Sequence, residues 1–207
     1  MNSVRIACLA LLGFFLAATP GAAVELDFGI VKTLEQLSLP VPDPANPVVC
    51  HGFGCAYQTR ILLRTADKAQ IKKLFGPAAA KSADAERKAV AAAMAWFEKR
   101  VAAEAGTAKA KARAGLGSAG DPSQFDCLDK TSNTVGVLAI VDQMGLLRHH
   151  VIDAPESRGL IIGGGLPHTT AVVRERKSGQ KWVVDGWTHD NGELPDVMPL
   201  ETWRAQS

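Results

Sequence analysis

Three side chains in this sequence could together carry out nucleophilic chemistry. Cys127 lies in an Asp-Cys-Leu-Asp run, His168 precedes a Thr-Thr-Ala-Val-Val run, and Asp185 ends a Trp-Val-Val-Asp run. A thiol attacks a carbonyl carbon when a nearby imidazole takes its proton, and a carboxylate can hold that imidazole in the correct orientation. We therefore predict that Cys127 is a nucleophile, that His168 is its base and that Asp185 orients the base.

The residues around Cys127 predict a helix that begins beside the thiol. From Asp126 to Gly145 apolar residues recur at helical spacing, Asp126 can cap the helix, and Asp129 falls in the first turn, where the helix dipole favours negative charge. The same dipole favours a thiolate at Cys127 and lowers the thiol pKa from about 8.5. The two carboxylates oppose that shift, so a positive partner is required, and His168 is the candidate.

Alternating apolar residues after this helix predict three strands: Leu146 to Ile152, Thr169 to Arg174, and Trp182 to Trp187. The second and third strands would carry His168 and Asp185 side by side. One helix followed by an antiparallel meander indicates an α+β domain. Trp187 is also a candidate for lining a cleft.

The first half of the chain is predicted to form structural elements that carry no candidate chemistry. We expect a strand over 57–63, a helix from Thr65 to the Gly76-Pro77 stop, and a longer helix from Ser82 to about Ala105. Residues 109–120 are rich in Ala, Lys and Gly and lack an apolar face, which is typical of a flexible linker or loop.

These elements fit one domain over residues 24–207, because about 180 residues can bury a working core without further staples. Within it we distinguish an N-terminal part (24–108), the linker or loop (109–120) and a core that carries the candidate chemistry (121–207).

Residues 124–190 resemble the transglutaminase-like cysteine peptidases of the papain-like superfamily. In that group a helix beginning at a nucleophilic Cys is followed by an antiparallel sheet carrying His and then Asp. The resemblance implies a papain/transglutaminase-like fold and assigns these roles to Cys127, His168 and Asp185. By analogy with papain-like enzymes, Gln124 is a candidate donor to the oxyanion, beside the Cys127 amide. The chain departs from related bacterial members at Lys130, where they usually carry an aromatic residue.

The first 23 residues predict a cleaved signal peptide. Arg5 precedes an apolar run of 11 residues, Ile6 to Leu16, and small residues follow up to Ala23. Because crossing a bilayer takes roughly 20 apolar residues, we expect no stable membrane insertion. The Cys50–Cys55 loop, the Asp-Cys-Leu-Asp-Lys-Thr-Ser-Asn-Thr run at 126–134 and the Asp-Asn-Gly-Glu run at 190–193 are similar to those of a set of uncharacterised exported proteobacterial proteins. That resemblance implies a periplasmic or secreted location.

Export bears on the cysteines, because removal of the signal takes Cys8 and leaves three. Cys50 and Cys55 flank a His-Gly-Phe-Gly loop that can close, so we predict a disulfide between them. Cys127 then remains free, either as a buried inert thiol or as a thiol held for chemistry.

The composition restricts the partners. Losing Arg5 leaves 22 basic and 21 acidic residues, a balance that does not indicate nucleic acid binding. The expected function is thiol-dependent hydrolysis or transfer at an amide bond of a peptide, protein or cell-wall peptide, with no cofactor and no metal. Two alternatives remain: a non-catalytic binding domain of papain-like shape, and a metal-dependent hydrolase. His149 and His150 suggest the latter, although neighbours on a strand point to opposite faces.

Overall fold

The structure is a computed structural model that describes residues 26–159 and 167–206. The predicted signal peptide lies outside the described residues. Among the described residues, no helix is both long and apolar enough to cross a membrane.

Helices make up the first half of the fold and the centre of the second. Within the described residues they are α1 (Phe28–Gln36), α2 (Thr65–Ala79), α3 (Ala83–Ala105), a short 3₁₀ helix (Leu116–Ser118), α4 (Cys127–Gln143) and α5 (Leu200–Arg204). The Ser82 hydroxyl caps α3, and Gly106, with φ 73°, ends it. The predictions of α3 and α4 are therefore confirmed.

Two antiparallel sheets complete the described fold. A hairpin pairs β1 (Val48–His51) with β2 (Tyr57–Arg60). The larger sheet has its strands in chain order, namely β3 (His150–Arg158), β4 (His168–Glu175), β5 (Lys181–Asp185) and β6 (Asp196–Pro199). The predicted α+β class, with a helix followed by an antiparallel meander, is confirmed.

Helix α4 lies at the centre, against β4 of the sheet, β1 of the hairpin and α3. Nearly every residue from 129 to 141 is buried, so even polar side chains of α4 face protein on all sides. Buried polar groups need partners, and they find them in neighbouring elements. Thr131 donates to the carbonyls of Cys127 and Thr169, and the Asn133 amide exchanges two hydrogen bonds with the backbone of Cys50. These contacts fix the helix against both sheets.

Several strand boundaries differ from the sequence prediction: β3 continues to Arg158, β5 ends at Asp185, and two further shifts have a clear cause. β2 ends at Arg60, because the amide of Ile61 donates to Pro47 outside the ladder while its side chain enters the core. β3 begins at His150 rather than Leu146, because the amides of Arg148 and His149 donate to the buried carboxylate of Glu86. Both shifts follow from long-range hydrogen bonds that a local apolar pattern does not contain.

Candidate active site

Helix α4 begins at Cys127, as predicted. The Asp126 carboxylate accepts a hydrogen bond from the Asp129 amide at 2.8 Å, and the Asp129 carboxylate accepts one from the Asp126 amide at 3.2 Å. This reciprocal capping satisfies two amides that the first turn leaves open. It fixes the position of the Cys127 backbone at the end of the helix.

The loop from Cys50 to Cys55 holds the same turn from outside. The predicted disulfide is present, with the two Cα atoms 4.5 Å apart. Residues 52–55 all have positive φ, between 59° and 82°. Gly52 cannot be replaced without strain, because a Cβ atom there would lie 2.4 Å from the Tyr57 ring.

This left-handed backbone turns three successive amides of the loop toward the carboxylates of α4. The amides of Phe53 and Cys55 donate to Asp129 at 2.7 and 2.6 Å, and the amide of Gly54 donates to Asp126 at 2.9 Å. Successive amides in such a conformation form a concave site for an anion. Here the anion is supplied by the two carboxylates that flank the thiol.

Asp129 is completely buried in this arrangement. Burial, together with the negative charge of Asp126, raises the pKa of the Asp129 carboxyl to about 7, although its three amide donors act in the opposite direction. The negative charge beside Cys127 is therefore smaller at neutral pH than two ordinary carboxylates would supply.

His168 and Asp185 meet at the opposite side of the site, on neighbouring strands. His168 is the first residue of β4 and Asp185 the last of β5, and Nε2 of the imidazole lies 2.6 Å from Oδ2 of the carboxylate. Asp185 also accepts hydrogen bonds from the Trp203 indole at 2.8 Å and from the Trp187 amide at 3.2 Å. Burial opposes ionisation of Asp185, but the hydrogen bond and charge of His168 and these two donors lower its pKa below the ordinary value.

The contact with Asp185 determines which nitrogen of His168 remains available. An ionised carboxylate can only accept, so Nε2 carries the proton and Nδ1 of a neutral ring carries a lone pair. Nδ1 is buried and has no hydrogen-bond partner among the described residues. Trp187 and Trp203 pack against the ring, with centroids 4.7 and 5.4 Å from it. The imidazole is thus held firmly, with one basic nitrogen unused.

Cys127 and His168 line one cleft of about 720 Å³. Its walls are mostly apolar, and besides the ends of β3, β4 and α4 they include Leu37 after α1, Phe53 of the disulfide loop, Leu116 of the 3₁₀ helix and Trp187 after β5. No lysine, arginine or glutamate belongs to the described lining, and Asp126 is its single carboxylate. The cleft suits an uncharged acyl group beside the thiol.

Cys127 and His168 line the same cleft, but no hydrogen bond joins them in the described structure. Cys127 Sγ lies 3.8 Å from the carbonyl oxygen of Pro167, the residue before His168. Burial, with further contributions from the charges of Asp126 and Asp185, raises the pKa of the thiol to about 11. The lowering expected from the helix dipole is outweighed here, because desolvation disfavours the thiolate more strongly.

Gln124 lies beside the cleft residues in sequence, but its side chain has other partners. Its amide oxygen accepts a hydrogen bond from the Lys111 backbone at 2.9 Å, and its amide nitrogen lies 3.4 Å from the Ser123 hydroxyl. It is not among the residues that line the cleft. A role for Gln124 at an oxyanion stays a prediction that requires these contacts to open.

Lys130 stands where the resembling family usually has an aromatic residue. It is buried and pairs with Glu98 of α3 at 2.6 Å. The other oxygen of Glu98 accepts a hydrogen bond from the Gly192 amide at 2.7 Å. Lys130 therefore joins α4 to α3 and to the segment between β5 and β6, behind the helix turn that carries Cys127.

The segment predicted as a linker, 109–120, forms part of the cleft wall. Asp190 accepts hydrogen bonds from the Lys111 side chain and the Ala112 amide, and the Arg113 amide donates to Trp187. These contacts place Leu116 at the mouth of the cleft, where two thirds of its surface is exposed. The sequence signal for this cleft contact is an isolated leucine among small and basic residues.

His149 and His150, the residues that suggest a metal-dependent hydrolase, have separate partners. His149 Nε2 lies 3.1 Å from the Ala80 carbonyl oxygen, and His150 Nδ1 lies 2.9 Å from Glu86. Across the described ranges, no group of three or more His, Cys, Asp or Glu side chains is arranged to hold a metal ion.

Comparisons of this chain with models of known protein families, with curated proteins and with solved structures find no match. The resemblance to transglutaminase-like cysteine peptidases thus stays a prediction.

Proposed function

We propose that this protein is an exported thiol-dependent enzyme of papain/transglutaminase-like fold that hydrolyses or transfers acyl groups at amide bonds of peptide or cell-wall peptide substrates. The observation that carries the proposal is the position of His168. Its Nε2 is fixed by Asp185, its Nδ1 has no hydrogen-bond partner within the described residues, and its ring lines the same cleft as the free thiol of Cys127.

The proposed reaction begins from a neutral thiol, because burial raises the pKa of Cys127. When a carbonyl carbon reaches Sγ, His168 Nδ1 takes the thiol proton as the carbon–sulfur bond forms. Asp185 stabilises the resulting imidazolium. The backbone amide of Cys127, at the positive end of α4, is the proposed donor to the oxyanion.

The second half of the reaction returns the proton. The imidazolium gives it to the departing amine as the carbon–nitrogen bond breaks, which leaves a thioester on Cys127. Water or a second amine, deprotonated by the neutral His168, then attacks the thioester carbon and releases the thiol. Hydrolysis and transfer differ only in this acceptor.

Acylation of the purified protein with p-nitrophenyl acetate tests the proposal. We expect release of p-nitrophenolate together with a mass increase of one acetyl group at Cys127, and removal of that group by hydroxylamine. C127A gives the background. An H168A variant that folds but acylates as fast as the wild type would contradict the proposal, as would a wild-type protein that takes up no acetyl group.

The second candidate function is a non-catalytic domain that binds a peptide in the cleft. The observation that favours it is the absence, within the described residues, of a hydrogen bond between Cys127 and His168, together with the raised pKa of the thiol. This function predicts that a peptide library enriches ligands for which C127A and wild type have equal affinity, while neither acylation nor turnover is found.

A further inference from the structure

A second concave site, separate from the cleft, lies where three parts of the chain meet. We call it the cationic groove and define it by Lys81, Arg148, His149, Glu175, Arg176 and Lys177. Its volume is about 550 Å³, and none of these residues lines the cleft that contains Cys127.

The walls of the cationic groove are tied to one another through the backbone. Lys81 belongs to the turn before α3, Arg148 and His149 to the loop before β3, and Arg176 and Lys177 to the β4–β5 turn. The amide of Arg176 donates to the His149 carbonyl at 2.8 Å, and the His149 ring contacts the Ala80 carbonyl. Beneath them, Glu86 binds the amides of Arg148 and His149. The shape is therefore set by the fold and not by chance contacts of long side chains.

Four of the lining side chains are cations without an acidic partner. Within the described residues, no ion pair and no side-chain hydrogen bond is formed by Lys81, Arg148, Arg176 or Lys177. Outside the described residues the sequence contains a single acidic side chain, Glu25. These four charges repel one another, and none of them is paired with an acidic side chain of the described residues.

Two acidic residues near the groove are paired with cations that do not line it. Glu175 pairs with Arg87 at 3.4 Å, and Asp84, near the start of α3, pairs with Lys88 at 2.8 Å. The charge of Arg176 lowers the pKa of Asp142, but burial raises that pKa more strongly. The groove is thus strongly positive in a chain whose formal net charge is only +2.

We propose that the cationic groove binds an anionic ligand that carries two or more phosphate groups. Arginine forks bind phosphate oxygens in pairs, and lysines add mobile charges around them. Because salt screens exposed charges beyond about 8 Å at physiological ionic strength, a single phosphate gains little, whereas linked phosphates contact several walls at once. The concave shape favours a discrete oligophosphate over a flat membrane surface.

Calorimetric titration of the full chain with inorganic tripolyphosphate tests this assignment. We expect one ligand per chain, at least about tenfold tighter binding than orthophosphate, and weakening as salt is added. The double variant R148E/K177E is expected to bind about tenfold more weakly or worse, because two attractions become repulsions. All side chains changed here are exposed, and melting curves check that each variant folds.

The matched control is R60E/K68E, which makes the same change of charge and residue types at exposed positions that do not line the groove. We expect it to retain affinity within about twofold, since distant charges are screened. Equal losses in the two double variants, or no binding of tripolyphosphate by the wild type, would overturn the proposal. So would binding to phosphatidylglycerol vesicles without binding to tripolyphosphate, because a membrane surface would then be the partner.

This site is independent of the proposed enzyme activity. C127A should bind tripolyphosphate as the wild type does, since Cys127 is not part of the groove. A groove that loses its ligand in C127A would contradict the separation of the two sites. If acylation of Cys127 fails, binding in the groove is still expected.

Discussion

Two histidine–carboxylate pairs lie at opposite ends of the larger sheet, and in each the histidine is the first residue of a strand. His150 is the first residue of β3 and contacts Glu86 at 2.9 Å, whereas His168 is the first residue of β4 and contacts Asp185 at 2.6 Å. Burial opposes ionisation of both carboxylates, and in both the hydrogen bonds prevail and lower the pKa. The pairs differ in what the second ring nitrogen does.

Arg87 lies 3.2 Å from Nε2 of His150, whose ring is 1% exposed, so both nitrogens of that ring have partners. In His168, Nδ1 has no partner in the described structure, and the ring borders a cleft that contains a thiol. A histidine bound to a buried carboxylate is therefore not a catalytic signature by itself. The informative feature is a nitrogen that the fold positions but does not use.

The largest expected effect separates the two histidines directly. H168A should slow acetylation of Cys127 by p-nitrophenyl acetate about 10²- to 10⁴-fold, the usual contribution of a positioned general base. H150A, where it folds, should leave the rate nearly unchanged, because His150 does not line the cleft. Intact-mass measurement over time gives both rates. Similar losses in the two variants would remove the distinction drawn here.

The Glu86 pair should matter for stability instead. E86Q replaces one acceptor oxygen with an amide group that faces the donors of Arg148, His149 and His150. Because it breaks a buried charged network, we expect a loss of about 3 kcal/mol in the free energy of unfolding. Urea denaturation measures it, with E35Q at an exposed position as the control. A change as small as that of E35Q would show that Glu86 is not the centre of a stabilising network.

The pH dependence of alkylation tests whether Cys127 is a neutral thiol in the resting protein. Only a thiolate reacts with iodoacetamide, and the pKa of Cys127 is about 11, so its ionised fraction is small at neutral pH. The rate should rise about tenfold per pH unit between about pH 7 and pH 10 and level off only above about pH 11, where the thiolate becomes the main form. A rate that is already constant near about pH 6 would show a preformed thiolate–imidazolium pair instead. C127A gives the background.

The smallest expected effect concerns the Trp203 indole, which donates a hydrogen bond to the carboxylate of the His168–Asp185 pair. W203F keeps an aromatic ring against His168 but removes the hydrogen bond from the indole to Asp185. Hydrogen bonds to charged groups are worth roughly 1.5–3 kcal/mol, and part of this loss should appear as slower acetylation, several-fold to about tenfold. W182F is the matched control, since the N–H of the Trp182 indole has no hydrogen-bond partner among the described residues. Equal rates for the two variants would limit Trp203 to packing.

The local parts of this site could be predicted from the sequence. The helix start at Cys127 follows from Asp126 and Asp129, which act within one turn, and the strands of His168 and Asp185 follow from short alternating patterns. His149 and His150 have separate partners, although His149 lies in the loop before β3 and not on the strand that the sequence predicts there.

The parts that depend on distant contacts could not be predicted. Leu116 reaches the cleft only because backbone groups of its segment bind Trp187 and Asp190, some seventy residues away. The raised pKa of Cys127 depends on how deeply the packed sheet buries the thiol, which no local pattern expresses. Trp203 lies in a five-residue helix at the end of the chain, too short to leave a periodic signal.

The contacts of the disulfide loop have a consequence for how this sequence can vary. Phe53, Gly54 and Cys55 bind Asp126 and Asp129 through backbone amides alone. The side chain at position 53, which lines the cleft, can therefore change among residues that tolerate a positive φ without loosening helix α4. Under the proposed function, such a change would alter which acyl groups fit the cleft, whereas loss of either carboxylate would require a different loop.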